Sequence, residues 1–265
     1  HGRMPSVLTG ANLANRDLIY FGVSGDGDSA SIGLGQFAHC LRRGVNMVYV
    51  VENNGVYGLT KGQFSATADK GSKSKRGVTN PDSNIDMVGL ALQLGATFVA
   101  RSFSGDKTQL VPLLKAAIEH QGAAFIDVIS PCVAFNNHAG STKSYDYVRE
   151  HNEVLNRLDF MPHRDPITAD YEPGEIEDIR QHDGQVIRLR KISKDYDPHD
   201  RIAATNILQA RAAEGEIVTG LIYIDNEAED LHSNLNTVEF PLNTLGEEEL
   251  CPGSTALEAF NVGLQ

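Results

Sequence analysis

Four short apolar runs rich in β-branched and aromatic residues, Leu18–Val23, Val45–Val51, Thr97–Ala100 and Ala124–Ile129, recur along the first half of the chain. Each is closed within a few residues by Gly, Pro, Asn or Ser. Between them run patterns of helical period: Ile32–Leu41, then Ile85–Leu94, then Lys107–His120 with Leu110, Leu113, Leu114, Ala117 and Ile118. Continuously apolar strands are buried on both faces, and strand–helix alternation joins them by right-handed crossovers. The expected fold is therefore α/β, a mostly parallel sheet with helices on both faces, occupying residues 1–134.

Beyond Cys132 the pattern changes. A charged helix is expected around Tyr145–Leu158, followed by the connector MPHRDP and by IEDIRQHDGQVIRLRKIS, whose HDGQ reads as a turn between polar strands. A helix at Asp200–Ala213, a strand at Ile217–Ile224 and an acidic tail of low periodicity complete residues 135–265. These are read as a C-terminal α+β extension packed on the first domain.

Composition removes several classes of function. A net charge of -12 and a pI near 5.1 repel a phosphate backbone, so no nucleic-acid partner is expected. No apolar stretch approaches the roughly 20 residues of a membrane helix. Cys40, Cys132 and Cys251 are widely spaced with no CxxC pair, which suits a reducing, cytoplasmic setting. The opening HGRMPSVLTGANL carries neither an initiator Met nor a signal-peptide pattern, and reads as a chain whose natural N-terminus is missing.

The chemistry concentrates at two strand ends. SGDGDS, residues 24–29, follows LIYFGV, and Glu52-Asn53-Asn54-Gly55 follows MVYVV. In a parallel sheet, ligands bind outside the carboxyl ends of strands. Gly25 and Gly27 allow close backbone approach, with glycine torsions available and N–H groups free for phosphate oxygens. The helix Ile32–Leu41 aims its positive end at the same place. Asp26 brings an anionic oxygen and Asn54 a neutral amide oxygen, hard ligands of the kind Mg²⁺ takes alongside phosphate. Singly, Gly-Asp and Asn-Asn are turn formers; as a pair they point to a Mg²⁺–diphosphate site.

A competing pattern is GLGQFA, residues 33–38, which fits the dinucleotide GxGxxA fingerprint with Glu52 as a ribose acid. Those glycines must open a helix directly after the strand, whereas nine residues separate Val23 from Gly33. The stretch 52–83, rich in Gly, Lys, Ser and Thr, has the length of a functional or a solvated loop. Its Lys70, Lys73, Lys75 and Arg76 form a basic patch that an acidic protein partner would find.

Gly25-Asp26-Gly27, followed some two dozen residues later by Asn53-Asn54, resembles the thiamine diphosphate signature. With HGR, SGDGDSASIGLGQFAH, LRRGVNMVYVVENNGVYGLTKGQFSATA, GATFVAR and DVISPCVAFNN, the chain resembles the β subunits of 2-oxoacid:ferredoxin oxidoreductases, and its HDGQ region is similar to the 2-oxoglutarate type. The resemblance implies that Asp26, the Asn54 side chain and the Val56 carbonyl bind Mg²⁺. It further implies that Gly25, Gly27 and Asp28 line the diphosphate, and that Tyr57, Gly58, Leu59, Thr60 and His1 lie near the cofactor. Leu59 and Lys61 would face the substrate as the catalytic-side residues. Leu59 stands where pyruvate-type relatives tend to carry Asn.

Cys132 matches the last of four cysteines that hold a [4Fe–4S] cluster in this family, whereas Cys40 and Cys251 do not stand at the other three positions and read as small buried apolar residues. The implied activity is oxidative decarboxylation of a 2-oxoacid, with 2-oxoglutarate as the implied substrate, to acyl-CoA and carbon dioxide, with ferredoxin as electron acceptor. The implied partners are an α subunit, in an αβ heterodimer or its dimer, together with ferredoxin, coenzyme A and the 2-oxoacid. The resemblance also implies that the α subunit supplies the carboxylate that activates the cofactor. Two alternatives stand beside this reading: a non-catalytic scaffold fragment of the same fold, and another thiamine diphosphate-dependent decarboxylase or lyase.

Overall fold

The computed structural model describes residues 1–58, 62–72, 78–130, 167–180, 186–251 and 253–264. Its strands are Phe21–Gly25 (β1), Met47–Asn53 (β2), Val56–Tyr57 (β3), Gln63–Phe64 (β4), Phe98–Phe103 (β5), Ala123–Ile129 (β6), Ile176–Arg180 (β7), Val186–Lys191 (β8) and Ile217–Ile224 (β9). Its helices are Met4–Ala14 (α1), Leu34–Arg42 (α2), Met87–Gln93 (α3), Lys107–Glu119 (α4), Arg201–Ala213 (α5), Leu231–Leu235 (α6), Glu247–Leu250 (α7) and Gly253–Val262 (α8). Among the described residues, seven strands make one sheet in the order β1-β2-β6-β5-β9-β8-β7, and β3 pairs with β4 in a separate hairpin.

The four strands of the first half run parallel, β1 on β2, β2 on β6 and β6 on β5, as the strand–helix alternation requires. β2 and β6 are central, and their apolar residues are buried on both faces. One face carries the larger core, in which Phe37 and Leu41 of α2, Val88 and Leu92 of α3 and Leu208 of α5 meet Tyr49, Val99 and Phe125 of the sheet. Phe37, Tyr49 and Phe125 stack edge to face with centroids 5.2 to 6.1 Å apart. Burial of each such ring contributes about 1.5–3 kcal/mol. The opposite face packs Val48, Val50, Phe98 and Ile126 against Leu113 and Ala117 of α4.

Three local expectations are corrected. The run Leu18–Val23 is not buried on both faces: β1 starts at Phe21, lies at the end of the sheet, and leaves Ile19, Phe21 and Val23 exposed. Its other face is covered by α1, a helix absent from the sequence reading. Gly22 makes that cover possible, since a Cβ there would overlap Met4 Sδ and stand 2.7 Å from Leu8 Cδ1. The acidic tail beyond Ile224 is not irregular, because α6, α7, α8 and a short 3₁₀ turn at Leu242–Thr244 punctuate it. Cys251 is exposed rather than buried, while Cys40 is buried as expected.

The later strands fasten onto the first half through β9, which pairs antiparallel with β5 and parallel with β8. β7 and β8 pair antiparallel around residues 181–185, so the HDGQ turn itself lies outside the described residues. So do the helix expected at Tyr145–Leu158, the MPHRDP connector, Lys73, Lys75 and Arg76. Phe103 and Ile129 form a third cluster with Ala169, Tyr171, Ile179 and Leu189. An ion pair ties the same regions: Asp106 caps α4 by accepting from the Gln109 N–H at 3.0 Å, and its Oδ2 lies 2.7 Å from Lys191 Nζ.

Burial pushes Asp106 up, but Lys191, the Thr108 hydroxyl and the Gln109 N–H outweigh it and hold the carboxyl below its ordinary range. The stability this confers is present above the unfolded-state value of about 3.9 and is lost as pH falls through the lower folded-state value. Urea unfolding at pH 7 should show Asp106→Ala destabilised by about 2–4 kcal/mol, with Asp106→Asn, which keeps a capping acceptor, losing less. The gap between wild type and Asp106→Asn should narrow when the same curves are recorded near pH 3.

Candidate active site at the carboxyl ends of β1 and β2

β1 and β2 are in register with Gly25 opposite Glu52, so both strands deliver their following loops to one level of the sheet edge. After β1 the chain turns at once into a π-helical turn, Gly27–Ile32, with Asp26 at its N-cap, and only then into α2. The helix expected from Ile32 is thus preceded by a wider turn that reaches back to the strand end. Such turns are frequent at functional sites.

Asp26 is 1% exposed. Its Oδ2 accepts from the Gly55 N–H at 3.0 Å, from the Thr67 hydroxyl at 2.5 Å and from the Ser65 hydroxyl. Among the described residues no Lys, Arg or His forms an ion pair with it. Buried charges are paired or coordinate metals, and the position therefore suits a bound cation. The Gly55 bond depends on a backbone φ of +74°, in the left-handed region that glycine favours. Asn54 closes a small turn of its own, its Oδ1 accepting from the Val56 N–H at 3.0 Å. The Val56–Phe64 and Tyr57–Gln63 pairs of the β3–β4 hairpin then bring the chain back toward Ser65.

Neither Gly25 nor Gly27 has a positive φ, so glycine torsions are not what these positions use, and only Gly27 is required by space. A Cβ on Gly27 would stand 2.5 Å from Tyr57 Cε1, and the Tyr57 hydroxyl donates to the Gly27 carbonyl at 3.2 Å. At Gly25 the nearest atom to a Cβ would be Asp28 Oδ2 at 4.0 Å. Asp28 is half-buried at the mouth of the site, with the backbone nitrogen of His1 3.5 Å from its Oδ1. His1 itself is exposed, and Gly58 is exposed beyond Tyr57. The structure thus gathers His1, Gly25, Asp26, Gly27, Asp28, Asn54, Val56 and Tyr57 at one edge. Leu59, Thr60, Lys61 and Cys132 lie outside the described residues.

Sequence reasoning missed two sets of polar residues. Ser65 and Thr67 were read only as part of a long polar loop; a Ser-x-Thr spacing just past the hairpin was their one signal. The second set is Arg101, Asp127 and Asp86. Arg101 Nε donates to Asp127 Oδ2 at 2.8 Å, and its other arm reaches Asp86, which caps α3 through the Val88 N–H. Burial pushes Asp127 up against the pull of Arg101. Burial likewise works against the Arg101 charge, but Asp86 and Asp127 together hold its pKa above the ordinary value. Asp127 sits on β6 beside β2, where the Ser130 N–H donates to the Asn53 carbonyl at 2.8 Å, so this pair braces the strand that carries the Asn-Asn turn.

Cys40 and Cys251, the cysteines among the described residues, lie in different surroundings. Cys40 is sealed in the core with its Sγ 3.2 Å from Met47 Sδ, burial pushes its thiol up to about 12, and Cys251 is exposed on the tail. Among the described residues no three or more His, Cys, Asp or Glu side chains stand together as metal ligands. Nor is any helix of the described residues long and apolar enough to cross a membrane.

Residues 1–128 match the family described as thiamine pyrophosphate enzyme, C-terminal TPP binding domain. The chain is 41% identical over 179 residues to the 2-oxoacid:ferredoxin oxidoreductase subunit beta of Saccharolobus solfataricus, covering 67% of this chain and 56% of the relative. It is 39% identical over 171 residues to the 2-oxoglutarate oxidoreductase subunit KorB of Mycobacterium tuberculosis, with 63% and 43% covered. It is 32% identical over 189 residues to the 2-oxoglutarate synthase subunit KorB of Methanocaldococcus jannaschii, with 68% of each covered. Among solved structures it matches a 2-oxoglutarate:ferredoxin oxidoreductase from Magnetococcus marinus with 2-oxoglutarate, coenzyme A and succinyl-CoA bound. That match has a TM-score of 0.65 at 30% identity and covers 92% of this chain and 72% of the other. The chain spans about half the length of the first curated relatives it matches.

The contact of Gly27 with Tyr57 is open to a double-mutant cycle. Gly27→Ala should destabilise the chain by about 1–3 kcal/mol through overpacking, and the loss should shrink by at least about 0.5 kcal/mol in a Tyr57→Leu background. Urea unfolding of the four proteins measures both quantities, and strict additivity would place the ring elsewhere.

Proposed function

Since the chain belongs to the β subunits of the 2-oxoacid:ferredoxin oxidoreductases, we propose that it forms the thiamine diphosphate- and Mg²⁺-binding half of their active site. The reaction proposed is oxidative decarboxylation of a 2-oxoacid to acyl-CoA and carbon dioxide with reduction of ferredoxin. 2-Oxoglutarate is the preferred substrate, a choice supported by the names of the KorB relatives and of the structural neighbour. The observation that carries the reading is the buried Asp26 carboxylate, without an ion pair among the described residues and tied to the Asn54-containing loop at the joint end of β1 and β2.

The residues present fit the cofactor's charged end. Asp26 Oδ1 takes none of the three bonds made to Oδ2, and would face the cation together with the Asn54 side-chain oxygen and the Val56 carbonyl. Few protein ligands suffice for Mg²⁺ when substrate or cofactor phosphates complete its shell. Gly25, Gly27 and Asp28 would border the diphosphate, with the N-terminal N–H groups of the π-helical turn directed at its oxygens. Tyr57, packed over Gly27, would keep water from that side, and His1 would stand at the rim. Thiamine diphosphate, when bound, supplies the nucleophilic carbon and the electron-accepting ring that decarboxylation requires. The cofactor-activating carboxylate is assigned to an α subunit, which makes the chain half of a shared site. A [4Fe–4S] cluster finds no ligand set among the described residues.

The test is thermal unfolding of the chain with its α subunit, with and without thiamine diphosphate and Mg²⁺. Ligand at about a hundred times its Kd adds about 2.7 kcal/mol and raises Tm by several degrees. Wild type should show that rise and Asp26→Ala should not; equal responses would remove the metal assignment. With ferredoxin and coenzyme A present, carbon dioxide release should be faster from 2-oxoglutarate than from pyruvate, and the reverse order would overturn the substrate choice.

A further inference from the structure

We propose that Ser65 and Thr67 are positioning residues that set how a cation meets Asp26, and thereby select Mg²⁺ over Ca²⁺. The proposal rests on the reading of Asp26 as the anionic metal ligand and concerns two residues that reading leaves without a role. Ser65 and Thr67 are both buried, at 6% and 8% exposure, beyond the β3–β4 hairpin. Their hydroxyls both reach Asp26 Oδ2, and the Gly55 N–H makes a third donor on the same atom. The two hydroxyl oxygens are 2.9 Å apart, and the Thr67 N–H lies 3.3 Å from Ser65 Oγ, so the pair is held as a unit.

A carboxylate oxygen has two in-plane lone pairs. Three donors converging on Oδ2 saturate it, and a cation approaching that oxygen would have to displace a buried hydroxyl. Oδ1 carries none of these bonds, so Asp26 is prepared to bind through one oxygen and not through two. This distinction separates the two common hard cations. Mg²⁺ takes octahedral geometry at short distance with single carboxylate oxygens, whereas Ca²⁺ accepts longer bonds, higher coordination numbers and bidentate carboxylates. Blocking Oδ2 withholds the bidentate mode that Ca²⁺ exploits and leaves Mg²⁺ the geometry it requires.

The experiment uses the assembled complex with its α subunit, stripped of divalent cations by chelation and saturated with thiamine diphosphate. Bound Mn²⁺ is followed by electron paramagnetic resonance and displaced in turn by Mg²⁺ and Ca²⁺. In Ser65→Ala/Thr67→Val, which opens Oδ2 to a bidentate cation, the Mg²⁺:Ca²⁺ preference should fall about tenfold. Ser65→Ala alone, which deletes one donor, should move the ratio in the same direction by less. Thr67→Ser, which keeps the hydroxyl, should retain wild-type values. A parallel loss of both affinities with an unchanged Mg²⁺:Ca²⁺ ratio would mean that the hydroxyls only support the fold, and would overturn the proposal. If Asp26→Asn binds cations as wild type does, the metal assignment itself fails; if Asp26→Asn loses binding while the hydroxyl variants match wild type, only the positioning role fails.

Discussion

The parallel register of β1 on β2 is the constraint on which the rest depends. Gly25 opposite Glu52 means that two strands, separated in sequence by a π-helical turn and α2, end side by side and point the same way. A shift of one residue would exchange the faces of β1 and bring Gly22 away from α1, whose Met4 and Leu8 fill the space a side chain would need. Packing on one face therefore fixes the chemistry at the end of the strand. Asp26 can meet Gly55 only because the sheet has already levelled the two loops.

Around that junction the chain surrounds a negative charge with dipoles rather than with a counter-ion. Gly55, Ser65 and Thr67 each give one proton to a single oxygen of Asp26, and Arg101 on β5 is committed to Asp127 and Asp86. The arrangement separates two tasks. The Arg101 network ties the sheet to α3 through two ion pairs, while the Asp26 cluster gathers hydrogen-bond donors around a carboxylate that has no ion pair among the described residues.

The sheet and its helices were legible because their signals are periodic and local. Met47–Asn53, Ala123–Ile129, Lys107–Glu119 and Ile217–Ile224 follow the apolar patterns closely. Gly-Asp-Gly and Asn-Asn were legible as a pair because each falls at the end of such a strand. What was not legible depends on partners distant in sequence. α1 has a weakly amphipathic sequence and is fixed by its seat on Gly22; Ser65 and Thr67 look like any polar loop until Asp26 is beside them; Arg101 and Asp127 sit inside strands where a sequence pattern expects apolar residues. Cys251 misled for the same reason, since a small apolar residue type says nothing about which surface will cover it.

β9 has a consequence for how the chain is made. It closes the outer edge of β5, with Phe98 beside Ile224, although nearly half the chain is synthesised between them. At roughly 5–20 residues per second, a ribosome leaves that edge bare for on the order of ten seconds. During this interval the parallel core of β1, β2, β6 and β5 is already complete in sequence, yet one flank still offers unpaired backbone groups to any passing strand. The antiparallel β9 thus acts as the late seal of a sheet whose β1 and β2 loops are finished first.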